Sequence, residues 1–368
     1  MLALAGLTMT ASTAAMADVV VKLGFAGPLT GPVSHLGKDE QYGAQLALDD
    51  ANGKGVVLGG QKVRFELLAE DDQADPRTAT TVAQRLVDAG VKGVVGHVTS
   101  GAAIPASRIY EQAGVPSITP SATSPKLTQQ KFKTTYRVIA NDMQQGAAMA
   151  RFATEALKAK RIAVIDDRTA YGQGLADAVV DNLKRLGVTP VGREFTNDKA
   201  TDFSAILTRL KAAKPDAIFY GGMDAQGAPL LRQMRQLGIE ARYLGGDGVC
   251  TTEMIKLAGP AISADVFCTQ AGIPMDKMPA GKSFNERFLK RFSVPVQLYA
   301  PYSYDAASAL VEAMKLADSA DPARYLPLLQ KVSFKGVTGN VAFDASGDIR
   351  EGGVALYQYQ SGKWQLRP

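Results

Sequence analysis

The sequence predicts an α/β protein of two doubly wound lobes with parallel sheets, and three observations carry that prediction. Short β-branched runs alternate with amphipathic helical stretches along most of the chain, the pattern of βαβ units. The alternation occurs in two successive blocks. The 368 residues exceed one ordinary domain and fit two or three. Composition agrees, with 46% hydrophobic and 21% charged residues, near the average for folded soluble proteins.

The elements follow in order. Residues 1–17 carry no charge and end in Ala15-Met16-Ala17, a small-x-small pattern before Asp18. They read as the apolar core and cleavage site of an export signal, without the basic residues that usually precede them. Cleavage after Ala17 leaves 368 − 17 = 351 residues. Residues 19–26 form a buried strand, 41–52 a helix and 62–68 a strand. Asp75-Pro76 starts a helix, because Asp caps free N–H groups and Pro suits the first turn. Residues 91–98 form a strand, 102–112 a helix, and 116–119 and 135–139 two short strands.

In the second block Asn141 caps a helix reaching about Leu157. Strands follow at 161–165, 188–195, 217–220, 242–244 and 265–269. Helices lie at 172–186, 202–212 and 225–237, with a short one before the last strand. The tail is helical at 284–292, 306–316 and 322–332. It ends in strands at 336–343 and 353–360, around the turn cluster 344–348. No linker separates the blocks.

Several chemistries are excluded. No phosphate-binding loop, H-E-x-x-H or G-x-S-x-G occurs. Gly172-Gln173-Gly174 lacks the third glycine of a dinucleotide site and reads as a helix start. His35 and His97 are isolated and read as polar loop or strand-end residues, and two cysteines cannot close a four-ligand zinc site. The Glu70–Asp72 run reads as a solvated turn with capping charge. The charge of 41 − 36 = +5 is small, and basic residues are scattered, so nucleic acid is not expected as a partner. No metal or cofactor is expected.

The informative places are strand-to-helix turns, since ligands of open α/β sheets bind outside the carboxyl ends of strands. His97–Ala102 offers hydroxyls and a helix N-terminus, a natural anion seat. The turn 119–123 is equally rich in hydroxyls. In the second block, Tyr171 lies near a helix start, and Gly245-Gly246-Asp247-Gly248 sets one carboxylate among glycines. A carboxylate opposite an anion seat suits a zwitterion.

These residues resemble a family. Gly31-Pro32 with Gly37, Asp71-Asp72 with Asp75-Pro76, Gly96-His97 with Pro105-Ala106-Ser107, and Ile118-Thr119-Pro120 with Ala122-Thr123 appear in order. Tyr171-Gly172-Gln173-Gly174, Asp202-Phe203-Ser204, Tyr220-Gly221-Gly222, residues 245–249, and Phe343-Asp344 with Gly347-Asp348 follow. The ordered set is similar to the periplasmic solute-binding proteins of the branched-chain amino-acid class, the type I periplasmic binding fold.

That resemblance implies two lobes joined by three crossovers, lobe 1 being 18–140 with 272–348 and lobe 2 being 141–271 with 349–368. It also implies a non-enzymatic role, a monomer in the periplasm, and delivery of an amino acid to the membrane permease of an ABC transporter. It implies that Ser100 and Thr123 bind the ligand carboxylate. The Ser121 backbone and Asp247 would bind the ammonium, with Tyr171 covering the ligand. Leu36, Val98, Thr99, Met223 and Tyr299 would line the pocket. Leu36 and Met223 replace aromatic residues and Asp247 replaces Glu, which leaves room for an amide, an aromatic acid or another amino acid as ligand, or for a sensor role. The family's first-lobe disulfide is absent, its positions matching Ala74 and Thr99. Cys250 and Cys268 are expected to pair, because export favours oxidation, with two buried free thiols as the alternative.

Overall fold

The computed structural model describes residues 18–367. The export-signal reading of residues 1–17 lies outside them. The first lobe is built on strands β1 (Val19–Gly27), β2 (Val57–Leu58), β3 (Gln61–Asp71), β4 (Val94–Gly96), β5 (Ser117–Thr119) and β6 (Thr135–Arg137). They pair in the order β2-β3-β1-β4-β5-β6, all parallel except β2 against β3. Between them run helices α1 (Ser34–Lys54), α2 (Pro76–Asp88), α3 (Ser100–Ala113) and the single turn α4 (Lys126–Gln129). Asp75 caps α2 by accepting from the N–H groups of Arg77 and Thr78, as its sequence predicts.

The second lobe starts with α5 (Asp142–Arg151), which loosens into a π-helical turn at Phe152–Ala156. Asn141 opens α5 with a full capping box, its partner being Gln144. There follow β7 (Ile162–Asp166), α6 (Ala170–Arg185), β8 (Gly192–Phe195), α7 (Ser204–Ala212), β9 (Ala217–Gly221), α8 (Asp224–Gln236), β10 (Arg242–Gly245), α9 (Thr252–Ala258) and β11 (Val266–Ala271). The chain then returns to the first lobe with α10 (Gly281–Phe292), α11 (Ala300–Ala317), α12 (Pro322–Leu329) and the hairpin β12 (Ser333–Lys335) and β13 (Asn340–Ala342). It ends as β14 (Val354–Gln360) and β15 (Lys363–Arg367), antiparallel additions that complete the sheet β15-β14-β11-β10-β9-β7-β8.

The chain therefore passes between the two sheets three times, after β6, after β11 and before β14. These crossings lie side by side: Val138–Ala140, Gly272, Ile273, Ile349, Gly352 and Gly353 border one common crevice. A Cβ on Gly352 would sit 3.1 Å from the Ala140 Cα, so glycine lets two of the crossings pack closely.

Each lobe has its own core. Leu23, Phe25, Leu48 and Ile118 pack with Phe284, Leu310 and Met314 of the returning helices. Ile165, Tyr220, Leu231, Tyr243 and Met254 pack in the second lobe. Burial of each such side chain contributes about 1.5–3 kcal/mol. The contact of α1 with α11 requires Gly43, where a Cβ would lie 2.2 Å from the Ala300 carbonyl oxygen. Asp39, one turn earlier, gathers the loop into α11: its Oδ1 accepts from the Gln297 N–H and its Oδ2 from those of Leu298, Tyr299 and Ala300.

Several strands are shorter than their sequence predicts. The run 91–98 supplies a strand only at Val94–Gly96, and 188–195 only at Gly192–Phe195. Their remaining valines lie in the flanking turns, Val91 and Val98 buried and Val188 and Val191 partly so. The final strand β15 and the two-residue β2 escaped the periodicity, because short edge strands carry little alternation.

Candidate functional site

The carboxyl ends of both sheets face each other across a small cavity. It is lined by Leu36, Val98, Thr99, Ser100, Ser121 and Tyr299 from the first lobe and Tyr171, Met223, Asp247 and Gly248 from the second. All the residues expected at the ligand are there except Thr123. Gly248 is an addition.

The acidic wall comes from the turn after β10. Asp247 is buried and its carboxylate is fully organised. Its Oδ1 accepts from the Tyr171 hydroxyl (2.7 Å) and Gln145 Nε2 (2.9 Å), and its Oδ2 from the Tyr299 hydroxyl (2.6 Å). The Gly248 N–H donates to the Tyr171 oxygen (2.9 Å), locking ring and turn together. Glycine is needed beside the acid: a Cβ on Gly246 would meet Leu175 at 2.3 Å, and one on Gly248 would meet the Gly222 carbonyl oxygen at 2.7 Å. Burial, and then the Asp247 charge, raise both Tyr171 and Tyr299 well above the usual phenol value, so both remain donors. The Tyr299 bond spans the two lobes.

Gln145 was not foreseen in the sequence. It sits on the buried face of α5 among Gly146, Met149 and Ala150, and that lone amide in an apolar stripe was the available signal. The Thr269 hydroxyl donates to its Oε1 (2.9 Å), which fixes the amide so that Nε2 faces Asp247. Asp142, the first residue of α5, is buried nearby. Burial first, then the charge of Asp247, push its carboxyl up to about 8, so it is mostly protonated at neutral pH. One formal negative charge therefore dominates the site.

The opposite wall is the start of α3. Thr99 has the extended backbone of an N-cap, yet its side chain caps nothing, and its Oγ1 has no hydrogen-bond partner among the described residues. The Ser124 N–H donates to Ser100 Oγ (3.1 Å), which leaves the Ser100 hydroxyl proton for another acceptor. Uncapped first-turn N–H groups with a free hydroxyl form an anion seat. Ser121 turns its hydroxyl to the Val98 carbonyl (2.9 Å), and the remaining lining, Leu36, Val98 and Met223, is apolar.

Thr123 departs from expectation. It is fully buried in the wall, its carbonyl accepts the Asp142 N–H (3.0 Å), and it does not line the cavity. The cause is Arg137, at the end of β6 and wholly buried. Its Nη1 donates to the carbonyls of Ala122 (3.0 Å) and Ser124 (2.8 Å), drawing residues 122–124 inward while Ser121 stays at the cavity. Arg137 also binds Asp348 through Nε (3.0 Å) and Nη2 (2.6 Å), tying the turn to the third crossing.

Other sequence candidates have structural partners. His97 stands at the end of β4, as its sequence reads, and its Nδ1 lies 2.6 Å from Asp72 Oδ2 and its Nε2 3.0 Å from the Tyr110 hydroxyl, all buried, whereas His35 lies in the first turn of α1 and not in a loop. Asp72 is thus not solvated, which corrects the reading of the 70–72 cluster. Glu70 binds Arg85 (2.7 Å), and Asp71 accepts from the Leu29 N–H (2.9 Å) and the Thr30 hydroxyl (2.5 Å). Gly172 serves packing, since a Cβ there would lie 2.4 Å from the Gly221 carbonyl oxygen. Cys250 and Cys268 are joined by a disulfide, with Cα atoms 5.5 Å apart beside β10 and β11. Among the described residues no cluster of metal-ligating side chains occurs.

Comparison with known proteins agrees with this geometry. The family model "Periplasmic binding protein" matches residues 20–363. An "Amino acid binding protein" of Pseudomonas aeruginosa is 37% identical over 360 residues, covering 97% of this chain and 94% of the relative. The "Leucine-, isoleucine-, valine-, threonine-, and alanine-binding protein" of the same organism is 34% identical, covering 94% and 91%. Among solved structures, a leucine-binding protein of Thermotoga maritima superposes with a TM-score of 0.87 at 30% identity, covering 95% of this chain and 98% of that one. A branched-chain amino-acid transporter substrate-binding protein of Streptococcus pneumoniae, in complex with isoleucine, gives 0.85 at 28%, covering 94% and 98%. With two lobes, a three-stranded hinge and a cavity between them, the chain belongs to the periplasmic binding protein family.

Proposed function

We propose that the protein captures an aliphatic α-amino acid between its lobes and delivers it to the membrane permease of an ABC transporter, working in the periplasm and without catalysis. The observation that supports this reading is the polarity of the cavity. A single organised carboxylate on one lobe faces an uncapped helix N-terminus on the other, with apolar side chains between. The ligand ammonium fits Asp247. Its carboxylate fits Ser100, Thr99 and the first turn of α3. Leu36, Val98 and Met223 receive the side chain.

Burying a zwitterion is tolerable only where both charges are paired and hydrogen-bonded. Each lobe supplies half of that requirement. Closure therefore binds the ligand better than either open lobe does, and the ligand shifts the population towards the closed form. The relatives named for leucine, isoleucine and valine support the choice of side chain.

A thermal-shift panel tests the reading, since a ligand that binds only the folded state raises the melting temperature. The purified chain is partly unfolded and dialysed first, to strip carried-over ligand. Leucine, isoleucine and valine are expected to raise the melting temperature, and aspartate and lysine to leave it unchanged. A shift with aliphatic amides or aromatic acids and none with amino acids overturns the assignment of ligand class.

A further inference from the structure

The lobes also touch outside the cavity, at one edge of it. His35, in the first turn of α1, brings Nε2 to 2.9 Å from Asp224 Oδ2, an ion-pair distance without hydrogen-bond geometry. Asp224 begins α8 on the other lobe and is fully buried. The Thr251 hydroxyl donates to the same Oδ2 (2.5 Å), while Oδ1 has no hydrogen-bond partner among the described residues. Beside this pair, the Thr252 hydroxyl donates to Gln297 Oε1 (2.6 Å), and the Gln297 N–H donates to Asp39 of α1 (2.8 Å). The contacts thus leave α1, cross to α8 and the start of α9, and cross back to the segment before α11.

The charge at this edge is unbalanced. A buried carboxylate that keeps one hydroxyl donor and one bare oxygen needs a counter-charge. Among the described residues, no lysine or arginine lies at ion-pair distance from Asp224, and His35 does. Its side chain is 19% exposed, so it exchanges protons with solvent while closed. When the lobes part, the imidazole leaves the carboxylate.

We infer that His35 and Asp224 form a clasp across the cleft, which favours the closed form while His35 carries a proton and so strengthens ligand binding as pH falls. The inference rests on the reading above that the cleft closes on its ligand. The charged groups facing His35 are Asp224 of α8, Glu253 of α9 and Asp39 of its own helix. Burial lowers the imidazole, but these carboxylates outweigh it, and the net shift is upward from 6.5. A solvated His35 in the open form titrates near its ordinary value of about 6.5. Closure therefore takes up a proton. The clasp acts in full below the open-form value and is lost as pH rises through the closed-form value. The Thr252–Gln297 bond does not titrate and holds at every pH. His35 is a positioning residue in this scheme, acting on the lobes rather than on ligand.

The test measures L-leucine binding calorimetrically from pH 5.5 to 9 in the wild type, His35→Gln and His35→Lys. Asp142 titrates in all three, so differences between profiles isolate His35. Relative to His35→Gln, wild-type affinity should be about two- to fivefold higher at pH 6 and should converge above pH 8. His35→Lys, charged throughout, should show no such convergence. Superimposable wild-type and His35→Gln profiles overturn the clasp. Small-angle scattering of ligand-free protein supplies a second reading: the compact fraction should fall with rising pH in the wild type and not in His35→Gln. If L-leucine gives no binding heat, the ligand assignment fails on its own, and pH-independent scattering then decides against the clasp separately.

Discussion

Asp247→Asn removes one charge from the site while keeping its shape. In the wild type the carboxylate takes three hydrogen bonds, from Tyr171, Gln145 and Tyr299, all neutral donors. Among the described residues, no lysine or arginine lines the cavity. An ammonium entering it therefore has Asp247 as its counter-ion, while Asp142, pushed up to about 8, is mostly neutral at pH 7. Breaking a buried pair by removing one partner costs about 3–5 kcal/mol. At 1.4 kcal/mol per factor of ten, affinity should fall by about two to nearly four orders of magnitude. The empty protein should hardly notice. The Asn oxygen still accepts from Tyr171 and Gln145, and Tyr299 can rotate its hydroxyl to accept from the new amide. Ligand-free melting should move by less than about 4 °C, the equivalent of roughly 1 kcal/mol. Isothermal titration with L-leucine measures the first quantity and circular dichroism the second. A variant that binds within about threefold of wild type, with an unchanged melt, refutes the assignment of Asp247 to the ammonium.

Three further outcomes follow from the same geometry. Asp142 has its folded-state pKa raised to about 8 from 3.8, so the folded form holds the proton more tightly than the unfolded chain, and stability falls as pH rises from about 4 to 8. Asp142→Asn should remove that fall, recovering about 2–4 °C of melting temperature per kcal/mol at pH 8; parallel melting curves across pH in both proteins count against it. Arg137→Lys should lose both melting temperature and affinity, because an ammonium cannot serve Ala122, Ser124, Thr128 and Asp348 at once. A variant with intact binding would show that the 121–124 turn does not depend on the guanidinium. A free-thiol assay on unreduced, denatured protein should find none, and Cys250→Ser with Cys268→Ser should cost about 3 kcal/mol for a bridge closing an 18-residue separation; two titratable thiols would exclude the bond.

Much of the fold was legible because its signals are local. Asp75-Pro76 and Asn141 mark helix starts by chemistry confined to three or four residues, and both caps form as predicted. The strand-end turns were legible for a related reason. Glycine and hydroxyl residues at 99–101, and glycines around one carboxylate at 245–248, suit a close approach to a ligand. Thr99 shows the limit of such reading. Its hydroxyl looks like an ordinary cap, and only the fold reveals that it caps nothing.

What escaped the sequence is set by contacts between distant segments. Gln145 reaches Asp247 across 102 positions, and Arg137 reaches Asp348 across 211. No spacing rule connects such pairs, since the crossings of a hinge, not a repeat, bring them together. Thr123 sits behind the cavity wall on the same account. Its hydroxyl and position in a turn are those of a ligand contact, but the buried guanidinium behind the turn decides which residues face the cavity. The same logic applies to His35. Sequence shows an isolated histidine. The fold sets it 2.9 Å from a buried carboxylate on the opposite lobe, where one proton weighs on the closure of the whole molecule. In a two-lobed protein the residues hardest to read in sequence are therefore those that join the lobes, and these are the ones through which binding is transmitted.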